Sequence, residues 1–598
     1  MSESAPLLPE SSTTSHPVRK PGHSQRPGHV SLWRVGIMFI LLVLVLSLID
    51  IEMPEIRWPG DSHNQNLCPQ VDALYPSGAA NVIRMLDSQK FETRAIEALS
   101  GAVKIATETF DDMGPIGKDP AWDVFDTFQE YLKTSFPLVS VYELSYRAVS
   151  HMFVRHKHLT LIKVNTYGLV YHWTGSDTSL KPILLAAHQD TVPVNPTTVD
   201  QWTYPPWSGH YDGEFIWGRG STDDKAGLIS ILLSIETLLS SRFRPHRTVI
   251  LAFGFDEEIS GIQGAAKLGP YLEQTYGRDG FALLVDEGAG ISEQFGAAFA
   301  APGIAEKGYL DLRIEVATPG GHSSIPPENH HTGIGILSHI IGTLENNTIT
   351  PRINRSQPMY RTFQCLAEHA PEMPSLLKRA ISRSHDSNRD LRRMEEMVFK
   401  DNVVRSTVAT TQAVTMIHGG VKSNALPELS WAIANHRIAT DSSLSALQSH
   451  LNVLLRELAT VSNITFVSFG KTLYDRGETL PKITISDAWG TALEPAPVSP
   501  TDSEAFRLLS GTILATELRG RNASEVEPVY VVPSIMSGNT DTRHYWNLTK
   551  HIYRYDHLRM TDTANIHTVD ERIRATGFIG MVRFFTNLIL NADQSRSL

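Results

Sequence analysis

The chain has 598 residues, too many for a single core, so two or more domains are expected. Apolar residues make up 41 % and charged residues 20 %, the balance of a folded globular protein, and a formal net charge of -11 excludes nucleic acid as the main partner, since phosphate binding needs clustered Lys and Arg. The only cysteines, Cys68 and Cys365, exclude a disulfide framework and a thiolate metal site and leave one disulfide between them open.

Residues 1–34 are rich in Ser, Pro and His without apolar periodicity and read as a disordered cytoplasmic tail. The tail contains ESAPLL, an acidic-dileucine pattern (Glu3, Leu7, Leu8) of the kind that sorting adaptors read. That points to an endosomal, lysosomal or vacuolar lumen. Next comes VGIMFILLVLVLSLI, Val35 to Ile49, somewhat short of the roughly twenty residues of a full membrane span. A core helix is disfavoured by the tail before it and the MPEIRWPG stretch after it. A cleaved signal peptide would show a small-x-small site, and SLIDIEMPE has none. The run is therefore read as an uncleaved single-span signal anchor over 35–51. Arg19, Lys20, Arg26 and Arg34 precede it and set a type II topology with the amino terminus in the cytoplasm. Five glycosylation sequons, at Asn346, Asn354, Asn463, Asn522 and Asn547, all follow the span. Residues 52–94 are expected to be a lumenal stem.

From about 95, short buried-strand runs alternate with helical runs. PILLAAH (182–188), TVILAFGF (248–255) and FALLVDE (281–287) are continuous apolar strands, and KAGLISILLSIETLL (225–239) is a helix between them. This texture predicts an α/β domain, a mostly parallel sheet with helices on both faces, whose site lies at the carboxyl ends of the strands. Near Lys307 the pattern switches to strict alternation in GYLDLRIEVAT. Helix, alternating strand (ELSWAIANHRI) and helix follow, which predicts an inserted smaller α+β lid or dimerisation domain over 307–470. A charged helical stretch around 370–400 reads as a solvated insertion. The first domain, 95–306, resumes over 471–598.

The strands deliver acids to one edge. PILLAA ends in His188-Gln189-Asp190, TVILAFGF in Asp256-Glu257-Glu258, and FALLV in Asp286-Glu287, while Asp223 and Asp224 precede a helix. Each alone has an ordinary structural reading: a hydrogen-bonded histidine, a solvated turn, a helix N-cap. Together they need a compensating charge that Arg219 and Lys225 alone do not supply. One or two divalent metals would supply it, and mixed imidazole and carboxylate ligands suit zinc, with Co2+ or Mn2+ as substitutes. In a two-metal site Asp223 is the natural bridge, His188 with Asp286 serves one ion, and Glu258 with His567 from NIHTVDE serves the other. Glu257, free beside a ligand, is placed for general-base work, and Asp190 for holding the other ring nitrogen of His188.

HQDTVPV, WGRGSTDDKAG, GFDEEISG, LLVDEG, TPGGHSSIPP, GGVKSNALPE, SGNTDTR and NIHTVDE, in this order over about 180–575, resemble the signatures of the dizinc aminoacylase/carboxypeptidase family, the glutamate carboxypeptidase-like metallopeptidases. The resemblance implies two Zn2+ per subunit on His188, Asp223, Glu258, Asp286 and His567, with Glu257 as general base and later proton donor. It implies His322 as the oxyanion donor, often across a homodimer interface formed by the inserted domain. Asn424 and Arg437, with Arg543 as a further candidate, would hold the substrate carboxylate. The activity implied is hydrolysis of the amide bond next to a free C-terminal carboxylate in short peptides; the alternative is an N-acyl-amino-acid amidohydrolase using the same site. No G-x-S-x-G elbow supports a serine hydrolase, and no expected position is missing, as it would be in a scaffold that had lost catalysis.

Overall fold

The strand Ile183–His188 has no polar residue before its last position, and its alternate side chains enter two different cores. Ile183, Leu185 and Ala187 join a cluster with the helices Lys225–Ser240 and Ala575–Gln594, while Leu184 and Ala186 join one with the helix Ala265–Tyr276. Val249–Gly254 and Leu283–Asp286 divide in the same way. A strand apolar at every position must bury both faces, so helices cover both sides of the sheet.

The computed structural model describes residues 66–139, 159–327, 331–519 and 528–598, which belong to one compact unit, Asn66–Leu598. The dileucine pattern, the proposed anchor and Asn522 lie outside the described residues. Among those described, no helix is long and apolar enough to cross a membrane. Residues 66–94, expected as stem, are folded: Ala79, Val82, Leu86 and Phe91 are buried in the main core.

The eight-stranded sheet runs Leu159–Val164, Gly168–Trp173, Val249–Gly254, Ile183–His188, Leu283–Asp286, Ile552–Arg554, Gly303–Glu306, Ser534–Met536. Its centre is parallel and four of its seven strand pairs are parallel, with antiparallel pairing at the first two strands and between Ile552–Arg554 and Gly303–Glu306. The expected α/β architecture is present.

A second sheet of six strands is built around Gly308–Ala317, whose residues from Leu310 alternate between buried and half-buried. Its buried face meets the helices Gly333–Asn346 and Leu444–Val461. The sheet also takes in Lys471–Tyr474 and Lys482–Asp487, so this body extends past residue 470, where it was expected to end. The section 351–405 does not belong to it. The helices Pro358–His369, Ser375–Arg383 and Asn388–Val398 form their own core with Ala297, Phe299 and Val532 of the first body. A Cys68–Cys365 disulfide ties them to the start of the folded chain.

Candidate active site

His188 ends its strand level with Gly254, so the acids 256–258 emerge beside it. Asp190, fully buried, holds the two loops together. Its Oδ1 lies 3.1 Å from His188 Nδ1 and accepts the Glu257 amide at 3.1 Å, and its Oδ2 accepts the Glu258 amide at 3.1 Å and the Thr109 hydroxyl at 2.8 Å. A carboxylate so placed fixes the tautomer of His188, leaving Nε2 to face the cluster.

The cluster is arranged about Asp223. His188 Nε2 is 3.0 Å from its Oδ1 and His567 Nε2 is 3.0 Å from its Oδ2. Glu258 Oε1 lies 3.3 Å from His567 Nε2, and Glu287 Oε1 lies 3.7 Å from His188 Nε2. One carboxylate thus faces two imidazoles, each accompanied by a second carboxylate. Glu571 supports the loop from behind: it accepts the Thr222 amide at 3.0 Å and pairs with the buried Arg219.

The expected place of Asp286 is taken by Glu287. Leu185 pairs with Val285, so Asp286, the last residue of its strand, stands opposite Ala186, two residues below the level of His188. Its Oδ2 is buried without a hydrogen-bond partner among the described residues, and Arg554 is its partner on the next strand. Asp224 also approaches His188 and Glu287, but its two oxygens accept the His188 and Gly227 amides as it caps the helix Lys225–Ser240. That commitment favours Asp223 over Asp224 as the facing group. Asp256 is likewise occupied, accepting the Gln263 and Gly264 amides at 2.6 and 2.7 Å.

Burial and mutual repulsion push Glu257 and Glu287 well above the ordinary carboxylate range and raise Glu258 as well. Burial opposes protonation of His188, but Glu287, Asp190 and Asp223 outweigh it and hold its proton well above the usual range. Hydrogen bonds to Asp223 and Glu258 push His567 to about 10. Among the described residues, Asp223, Glu258 and Glu287 make ion pairs with the two imidazoles alone. Lys225 spends its ammonium on the carbonyls of Ala102 and Ile105, and Arg219 on Glu571. Nitrogen and oxygen donors crowded without a neutralising side chain fit divalent cations.

Beside the cluster is a cavity of about 810 Å³ walled by Glu257, Glu258, Glu287 and His567 on one side and by the six-stranded sheet on the other. Arg437 and Arg543 both line it. Arg437 Nη1 donates to Asn539 Oδ1 at 3.1 Å, and Asn539 Nδ2 donates to the Lys307 carbonyl at 2.7 Å. His322 and Asn424 are not brought there. They sit at a two-stranded ribbon, Gly321–His322 against Ala425–Leu426, with His322 exposed. The Ser324 amide donates to His322 Nδ1 at 3.2 Å, which leaves the ring proton on Nε2. Glu287, Asn539, Tyr309 and Asn435 were missed from sequence.

These features define a hydrolase-type site at the strand ends of an α/β sheet, closed over by a second domain. Residues 184–591 match the model of peptidase family M20/M25/M40, and the chain belongs to that family, a metallopeptidase class of hydrolase. It is 38 % identical over 540 residues to carboxypeptidase S of Saccharomyces cerevisiae, covering 88 % of this chain and 89 % of that one. It is 32 % identical over 514 residues to the N-fatty-acyl-amino acid synthase/hydrolase PM20D1 of Bos taurus, covering 85 % and 89 %. Among solved structures, human carnosine dipeptidase 1 shares the fold with a TM-score of 0.56 at 13 % identity, covering 87 % of this chain and all of that one.

Proposed function

We propose that the chain is a two-metal carboxypeptidase that hydrolyses the amide bond next to a free C-terminal carboxylate in short peptides. The observation that carries this is Asp223, whose two oxygens each stand 3.0 Å from a different imidazole nitrogen. His188 and Glu287 would hold one ion, His567 and Glu258 the other, and Asp223 both, with Glu287 in the role expected of Asp286. Bound there, two Zn2+ ions, or Co2+ or Mn2+ in their stead, would supply Lewis-acid polarisation of the scissile carbonyl and acidify a water.

The chain's own groups do the rest. Arg437, steadied by Asn539, and Arg543 hold the substrate carboxylate and so bring the amide over the strand ends. Glu257 takes the proton from the attacking water and returns it to the leaving amine. His322, carrying its proton on Nε2, donates to the oxyanion in the site of a second copy of the chain, since it lies outside the cavity of its own. The amino-terminal run 35–49 anchors the chain in a membrane, its adaptor-binding tail in the cytoplasm and its folded part in a vacuole-like lumen. Asn346, Asn354, Asn463 and Asn547 are all exposed, as glycosylation there requires.

The alternative is an N-acyl-amino-acid amidohydrolase. The name of the bovine relative favours it, as do Trp489 and Ile262, which expose apolar surface in the cavity. Initial rates of metal-loaded enzyme on dipeptides and on N-acyl amino acids decide between them. Higher kcat/KM on dipeptides is expected; preference for acylated substrates moves the assignment to the amidohydrolase, and turnover of neither rejects both.

A further inference from the structure

On neighbouring strands of the six-stranded sheet, Tyr309 stands opposite Arg437 and Asp311 opposite Asn435. Residues two apart on a strand share a face, so the four make a two-by-two patch, and all four line the cavity. One end of the patch is cationic, with Arg437 over the Tyr309 ring. The other end carries a carboxylate and a side-chain amide. Asn435 Nδ2 donates to Asp311 Oδ1 at 2.7 Å, which leaves Asp311 Oδ2 and Asn435 Oδ1 free to accept. Among the described residues Asp311 has no ion-pair partner, and the nearby Arg313 is engaged by Glu315.

An aromatic face completes this end. The Asp311 carbonyl accepts the Ala488 amide at 2.8 Å, and Asp487 takes the amides of Trp489 and Ala492, a built turn that presents Trp489 to the cavity, 61 % exposed. A carboxylate, an amide oxygen and an indole face all favour a cation.

We propose that Asp311, with Asn435 and Trp489, is a subsite for a cationic side chain on the C-terminal residue, so that the enzyme prefers peptides ending in lysine or arginine. This rests on the carboxypeptidase reading of the site. Asp311 lies diagonally across the sheet from Arg437, with the two backbones about 7–8 Å apart by strand geometry. With the substrate carboxylate on Arg437, a lysine side chain is long enough to span a separation of that order. A free α-ammonium would lie across the scissile bond, toward the strand-end loops rather than the patch.

The test uses full-length, metal-loaded enzyme on Ala-Lys, Ala-norleucine and the N-acetylated form of each. The readout is the ratio of kcat/KM for lysine over norleucine within each enzyme, so that lost stability cancels. A ratio of about ten or more is expected for the native chain, from one charge-assisted hydrogen bond. The ratio collapses toward one in Asp311→Asn, falls in part in Trp489→Leu, and the lysine substrate keeps its advantage when N-acetylated. A native ratio near one, a ratio untouched by Asp311→Asn, or loss of the advantage on acetylation overturns the proposal while the carboxypeptidase reading stands. Turnover of none of these substrates overturns that reading and the proposal with it.

Discussion

The three adjacent acids of FDEE have three different surroundings. Asp256 is buried against the Gln263 and Gly264 amides, Glu258 faces His567 and also accepts the Val192 amide at 3.1 Å, and Glu257 has no side-chain hydrogen-bond partner among the described residues and lines the cavity. Glu257→Gln is therefore expected to lower kcat by about 10²–10⁴-fold with metal content unchanged, whereas Glu258→Gln lowers metal content itself. Elemental analysis beside steady-state rates checks both; full turnover by Glu257→Gln contradicts the assignment. Asp190→Asn tests the support. All four groups around its carboxylate donate, so an amide must place its NH2 against a donor. Metal affinity is expected to fall about 10–100-fold, read by chelator competition.

At the scale of elements, strands were the most legible feature, because unbroken apolar runs leave no solvent face. The phase of a strand end was not. Composition cannot tell Asp286 from Glu287 as the group facing His188; the path of the chain just past the strand's last residue decides it, bringing Glu287 Oε1 to 3.7 Å from His188 Nε2. Nor does sequence say which body a helical insertion packs on. The disulfide and the cluster around Phe299 place 358–398 on the first body. Breaking that disulfide with Cys365→Ser should lower stability by about 2–4 kcal/mol, since the loop it closes is long, measured by denaturant titration.

The lid strand Leu429–Ile438 carries His436, 1 % exposed, whose proton affinity burial pushes down to about 4 despite hydrogen bonds to the Ala434 and Leu310 backbone. Its folded value lies below the unfolded value of 6.5, so the unfolded chain takes the proton first as pH falls. The stabilisation is complete above about 6.5 and is lost toward 4, on the order of 3 kcal/mol. His436→Gln should flatten the decline of unfolding free energy between pH 7 and 4; an unchanged slope contradicts it.

For the whole molecule, the parallel centre puts the strand ends at 188, 254 and 286 side by side, and loops beside a separate four-stranded sheet bring Asp223 and His567 to them. The convergence of the three strand ends was legible from their apolar runs, whereas Asp223 and His567 had to be read from loop motifs. The positions of His322 and Asn424 were not, because a motif states that a residue serves a site, not whose site it serves. Two-metal binding is the claim on which the rest depends. Metal content of the purified protein, measured by mass spectrometry after equilibration with Zn2+ and removal of excess, tests it without recourse to activity. The account predicts two equivalents per chain, falling to one or fewer in Asp223→Ala. Two equivalents retained by Asp223→Ala, or none bound by the native chain, would contradict it.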